Sequence, residues 1–169
     1  MKRILCVMLS VLLTTALASC GLTVPSPEVD NGEFDFSVTY EINGETKTVS
    51  GVYVCEYNGT DWALDGGYHR DWNGYVKGNP AEDRYKIGET DDGGDIYICL
   101  GVYPEYFMGD EETGGKEIPA PWITVQYPYD ENGGVNIFND ATEIEESFGA
   151  KIISYNYAEP IENSFALFK

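Results

Sequence analysis

Residues 34–42, Phe-Asp-Phe-Ser-Val-Thr-Tyr-Glu-Ile, alternate apolar and polar side chains without a break, and Asn43-Gly44 follows at once. A period of two puts Phe34, Phe36, Val38, Tyr40 and Ile42 on one face and Asp35, Ser37, Thr39 and Glu41 on the other, a separation that no helix reproduces. The segment must be a strand with one wet face. Asn-Gly is what a two-residue hairpin turn demands, because both of its residues take positive φ. The next β-rich run, 47–57, therefore pairs back antiparallel. A second Asn-Gly at 58–59 predicts another turn, leading into Trp62-Ala-Leu64.

Further β-like runs are 75–77, 85–87, 96–103, 122–127, 135–138, 151–157 and 165–168, separated by Gly, Asp, Asn and Pro. One segment departs from the pattern. From Asp140 to Gly149 the chain offers Asp140 or Thr142 as N-cap, acids in the first turn, Ile144 and Phe148 four apart, and Gly149 as C-cap. No internal repeat or low-complexity tract interrupts the rest. The expected architecture is mainly β, an antiparallel β-sandwich or partly open barrel, with one short helix near 141–148 against an edge or end.

At 169 residues the chain has room for one core, and 43% hydrophobic and 14% aromatic residues suffice to build it. The 29 Asp and Glu against 10 Lys and Arg make a surface that repels phosphate backbones, so no nucleic-acid partner is expected. Between residues 89 and 146 stand 15 acids and a single base, Lys116. Three acid- and glycine-rich loops fall there, at 91–95, 110–115 and 130–134. None has the Asp-x-Asp-x-Asp-Gly spacing of a Ca²⁺ loop, so they are expected to be hairpin tips with no metal and no cofactor.

Met1-Lys2-Arg3 is followed by 15 uncharged residues, 4–18, rich in Leu, Val, Met and Ala. This is the charged start and apolar stretch of a signal peptide, too short to be a spanning helix. Leu17-Ala18-Ser19-Cys20-Gly21 resembles the lipobox of bacterial lipoproteins. The resemblance implies cleavage before Cys20 by signal peptidase II and diacylglycerol on the Cys20 sulfur, which anchors the chain to the extracytoplasmic face of the cell membrane. Removing Lys2 and Arg3 but no acid leaves 29 acids against 8 bases. The expected organisation is a signal peptide at 1–19, a lipidated Cys20 with a flexible tether at 20–33, and one acidic β domain at 34–169. Fully extended, the 13 residues after Cys20 could hold that domain about 40 Å from the lipid. Tyr68-His-Arg-Asp-Trp72 and Gly149-Ala-Lys-Ile-Ile-Ser-Tyr155 give the mature chain a resemblance to uncharacterised lipoproteins of Gram-positive anaerobes, which implies no activity.

Cys55 and Cys99 remain once Cys6 is cut away and Cys20 lipidated. Each shares a strand face with tyrosines: Tyr53, Cys55 and Tyr57 in one run, Tyr97, Cys99 and Tyr103 in the other. The matching faces and the extracytoplasmic compartment lead to the expectation of a Cys55–Cys99 disulfide, with two buried thiols as the alternative.

His69 is the single histidine, which excludes multi-histidine zinc sites, and no serine sits in a nucleophile elbow. A turn histidine is expected rather than catalysis with Asp71 or Asp65. The segment around it holds Trp62, Tyr68, Trp72 and Tyr75 with Arg70 and Asp71 among glycines. Flat rings beside hydrogen-bonding groups suit a sugar, so these six residues are the candidate ligand platform, although aromatics in a small β domain ordinarily form its core. The expected function is a non-catalytic binding or interaction domain for an envelope glycan or protein, with an envelope enzyme such as a glycan hydrolase as the alternative.

Overall fold

A computed structural model of the chain describes residues 24–62, 67–79, 84–111, 120–128 and 137–166. The expected signal peptide at 1–19, Cys20, Leu64, Asp65, the acidic loop at 130–134 and most of that at 110–115 lie outside the described residues. Among the described residues ten strands and two helices follow in order: β1 Ser26–Pro27, β2 Asn31–Ile42, β3 Glu45–Trp62, β4 Tyr68–Val76, β5 Arg84–Glu89, β6 Asp95–Cys99, α1 Pro104–Phe107, β7 Trp122–Gln126, β8 Ile137–Phe138, α2 Ala141–Phe148, β9 Ala150–Tyr157 and β10 Phe165–Ala166. They form a β-sandwich of two four-stranded antiparallel sheets, ordered β4-β3-β2-β9 and β5-β6-β7-β8, with a small ladder of β1 and β10 beside them.

β2 is built as its alternation requires: Phe34, Phe36, Val38, Tyr40 and Ile42 are all buried. Asn43 and Gly44 take φ of 52° and 78° and join Ile42 directly to Glu45. The opposing sheet brings Ile96 and Ile98 from β6 and Ile123 and Val125 from β7 into the same core. α2 is capped as its sequence dictates, with the Asp140 side chain accepting from the Glu143 N–H at 2.9 Å and Gly149 left-handed at φ 59°. The Gly149 carbonyl then accepts from the Asn43 N–H, pinning the helix end to the first hairpin turn.

Four expectations need correction. Asn58-Gly59 is not a turn: β3 runs through it to Trp62, and the extra residue becomes a β-bulge against β4, with Gly59 at φ 104°. A bulge absorbs the same glycine that a turn would use. The run 96–103 is strand only to Cys99. Tyr53 from β3 donates to the Val102 carbonyl and Tyr157 from β9 donates to the Leu100 carbonyl, so these backbone groups bond across the core instead of along a ladder. The chain then makes the one-turn helix α1, opened by Pro104, whose Phe107 stacks on Phe34 with ring centroids 4.6 Å apart.

The expected tether at 20–33 does not extend to residue 33. Ser26 and Pro27 pair with Ala166 and Phe165, and the Val29 N–H and carbonyl bond the Asn163 side chain. A segment with two prolines is still able to lie along a neighbour when few of its N–H groups are needed.

Cys55 and Cys99 are not bonded to each other. Cys55 faces the core with Tyr53, whereas in β6 the buried face is that of Ile96 and Ile98, and Cys99 lies on the opposite, outer face. Both cysteines do share a face with tyrosines, but that face points inward in one sheet and outward in the other. Burial pushes the Cys55 thiol up to about 12.

Candidate functional site

Strand alternation splits the six-residue platform in two. Along β4, Arg70 and Trp72 point into the sandwich, at 1% and 6% exposure, while His69, Asp71 and Tyr75 lie on the outer face. Asp71 there accepts from the Asn58 amide at 2.7 Å, and Tyr75 donates to Glu56 at 3.0 Å. His69 stands opposite Asp61 in the ladder. A strand cannot present neighbouring residues on one surface, so the sequence cluster is not a spatial one.

The inward pair has a structural task. Arg70 Nε and Nη2 donate to the two oxygens of Asp110 at 2.5 and 2.6 Å, and Trp72 Nε1 donates to the same carboxylate at 3.0 Å. Arg70 Nη1 reaches the Pro25 carbonyl at 3.3 Å, and the guanidinium lies over the Phe165 ring, 4.1 Å from its centroid. Both charged side chains are buried. This one arginine therefore fastens β4, the turn after α1, the incoming chain and the last strand together. Asp110, which sequence reasoning placed in an exposed acidic loop, is its counter-ion.

Trp62 and Tyr68 are what remains of the platform as a surface. They are direct ladder partners at the end of the β3–β4 hairpin, 51% and 49% exposed, on the face that carries Arg70 and Trp72 farther in.

A second aromatic surface, unforeseen in the sequence, covers the outer face of the β5-β6-β7 sheet. The register sets Arg84, Cys99 and Trp122 in one row, Lys86, Tyr97 and Thr124 in the next, and Asp95 with Gln126 beyond. Arg84 lies over the Tyr97 ring, 4.2 Å from its centroid, and donates to Gln126 Oε1 at 2.7 Å. Trp122 is 45% exposed, and its ring edge rests on Gly101, where an added Cβ would come within 2.5 Å of it. Gly101, at φ of 66°, lets the indole edge come this close because it carries no side chain. The usable signal was the alternation in residues 122–126, which puts Trp122 on the polar side of its strand.

An acidic cleft of about 620 Å³ opens between α1 and the 160–163 segment, lined by Glu105, Tyr106, Asp110, Glu111, Glu162 and Asn163. Burial holds the Glu105 carboxyl above the usual carboxylate range, helped by the negative charge of Asp110. Among the described residues no three ligating side chains come together as a metal site, and no helix is long and apolar enough to cross a membrane.

Compared with family models, curated proteins and solved structures, the chain finds no match in any of the three.

Proposed function

We propose that this chain is a lipid-anchored, extracytoplasmic binding domain, held to the cell membrane through Cys20 and taking an envelope glycan on the outer face of its second sheet. The observation that carries the ligand class is the half-exposed Trp122 ring braced on Gly101 beside the Arg84–Tyr97 stack. A sugar ring has apolar faces and a rim of hydroxyls, so it favours a fixed aromatic plane flanked by donors and acceptors. Trp122 supplies the plane, and Arg84, Gln126 and Asp95 supply the polar groups on the same face. The anchor rests on the apolar stretch 4–18 and the Leu17-Ala-Ser-Cys20 sequence.

Affinity electrophoresis through cell-wall and plant polysaccharides tests the ligand. Trp122→Ala should abolish retardation while leaving the thermal transition within a few degrees, because the side chain is only half buried. Unchanged retardation in a folded Trp122→Ala protein would remove this face from the reading.

The alternative, a glycan hydrolase, has one observation in its favour. Glu105 is a half-buried carboxyl held toward its protonated form in a cleft lined by other acids, the condition of a general acid. Release of reducing ends by the wild-type chain, lost in Glu105→Gln, would favour the enzyme over the binding domain.

A further inference from the structure

We propose that the exposed Trp62–Tyr68 pair is a membrane contact: it seats in the headgroup region of the phospholipid bilayer and orients the domain on its anchor. The proposal rests on the lipid anchor at Cys20 and adds to it where the domain sits.

The length and exit point of the tether carry the argument. The incoming chain is gripped at the Pro25 carbonyl by the buried Arg70. Five residue steps separate Cys20 from Pro25, so even a fully extended tether keeps that grip within about 18 Å of the lipidated cysteine. This is less than half the reach expected of a tether extending to residue 33.

Tyr68 lies two residues before Arg70 on the same face of β4, and Trp62 stands directly opposite Tyr68. Two residues of strand cover about 7 Å. The two most membrane-suited side chains on this face therefore stand about 7 Å along the sheet from the arginine whose side chain holds the anchor's exit point. Trp and Tyr are the residues that settle at bilayer interfaces, each with an apolar body and a polar N–H or O–H.

Charge indicates how the contact works. On this reading the processed chain has 29 acids against 8 bases, and Asp61 adjoins Trp62 and accepts from its N–H. Attraction to anionic lipid is therefore absent, and the pair must act by interfacial burial of its rings. Adding anionic lipid should weaken the contact, the reverse of a basic membrane-binding patch.

The test uses the full-length chain processed in a bacterial host, purified in detergent and reconstituted into phosphatidylcholine vesicles brominated near the headgroup end of the acyl chains. Of the three tryptophans, Trp72 is buried and Trp122 is on the other sheet. Bromolipid should quench wild-type fluorescence, Trp62→Phe should lose more than half of that quenching, and Trp122→Phe should keep it. Replacing part of the phosphatidylcholine with phosphatidylglycerol should reduce it.

Mass spectrometry of the N-terminal peptide separates the two claims. If Cys20 carries no diacylglycerol, the anchor fails and the membrane contact with it. If Cys20 is lipidated but wild type and Trp62→Phe are quenched equally, the contact is overturned and the anchor stands. Shielding of Trp62 from aqueous quencher by added polysaccharide, or by raised protein concentration without vesicles, would give the pair to a glycan or to a second copy and likewise overturn the proposal.

Discussion

Gly74 lies against the ring of Tyr53, so close that a methyl group at 74 would fall 1.9 Å from the phenolic oxygen. Cys55 and Gly74 are ladder partners, and the missing side chain of one strand makes room for the tyrosine of the next. Tyr53 is fully surrounded and cannot swing aside.

Gly74→Ala should therefore destabilise the domain by about 1–3 kcal/mol, the cost of overpacking a filled core. Urea unfolding measures it. Tyr53→Phe removes the nearest atom, so the double variant should lose less than the sum of the two single losses. Strict additivity would show that the two residues do not press on each other.

Removing one partner of the Arg70–Asp110 pair leaves a buried charge without compensation. Asp110→Ala should lose about 3–5 kcal/mol in denaturant unfolding, and so should Arg70→Met, whereas the Arg70→Met/Asp110→Leu double variant should recover a large part of that loss. Losses under 1 kcal/mol for both single changes would mean that water reaches the pair.

The cysteines should differ in reactivity. With its thiol pushed up to about 12, Cys55 holds only about one part in ten thousand as thiolate at pH 8, and it is fully buried. Peptide mapping after alkylation of the native protein should find Cys99 modified and Cys55 untouched until denaturant is added. A Cys55–Cys99 linked peptide would contradict the facing described above.

The same thiol sets an alkaline limit. A folded-state value raised from 9.0 to about 12 stabilises the fold fully below pH 9, and that contribution is lost as pH rises toward 12. The phenols of Tyr85, Tyr106 and Tyr157 are also raised, chiefly by burial, and act in the same direction. Stability should fall steadily above pH 9, and Cys55→Ala should flatten the start of that decline. An identical profile in the variant would assign the decline to the tyrosines.

With 15 acids and one base between residues 89 and 146, self-repulsion should be relieved by salt, since the Debye length is about 10 Å at 0.1 M. The melting temperature should rise with NaCl, and Ca²⁺ and Mg²⁺ at matched ionic strength should act alike. A distinct Ca²⁺ increment would reveal a dedicated site.

What the sequence made legible is what local chemistry decides. The β2 alternation, the Asn43-Gly44 turn and the Gly149 cap each depend on a few adjacent residues and stand as read, and of the two N-cap candidates Asp140 is the one used. What it hid depends on partners far along the chain. Arg70 looked like a sugar ligand because Asp110 is 40 residues away. Asn58-Gly59 looked like a turn because a bulge and a turn use the same glycine, and only the length of β4 decides between them. Cys55 and Cys99 looked alike because both their strands carry apolar residues on both faces. Which face turns inward is set by the opposing sheet. Trp122 and Tyr97 were legible as strand residues, but the surface they share with Arg84 and Gln126 emerges only when three strands are in register.

The position of β2 has a kinetic consequence. Its two neighbours are β3, which follows it immediately, and β9, more than a hundred residues later, while β1 waits for β10 at the far end of the chain. The β2–β3 hairpin can form on its own, but closing the first sheet means bridging the more than one hundred residues between β2 and β9, and such non-local pairing is slow. A ribosome would have to release, or a translocation channel pass, every residue through β9 before the sheet could be completed. Phe165 reaches its place under Arg70 later still, once the residues beyond β9 have emerged.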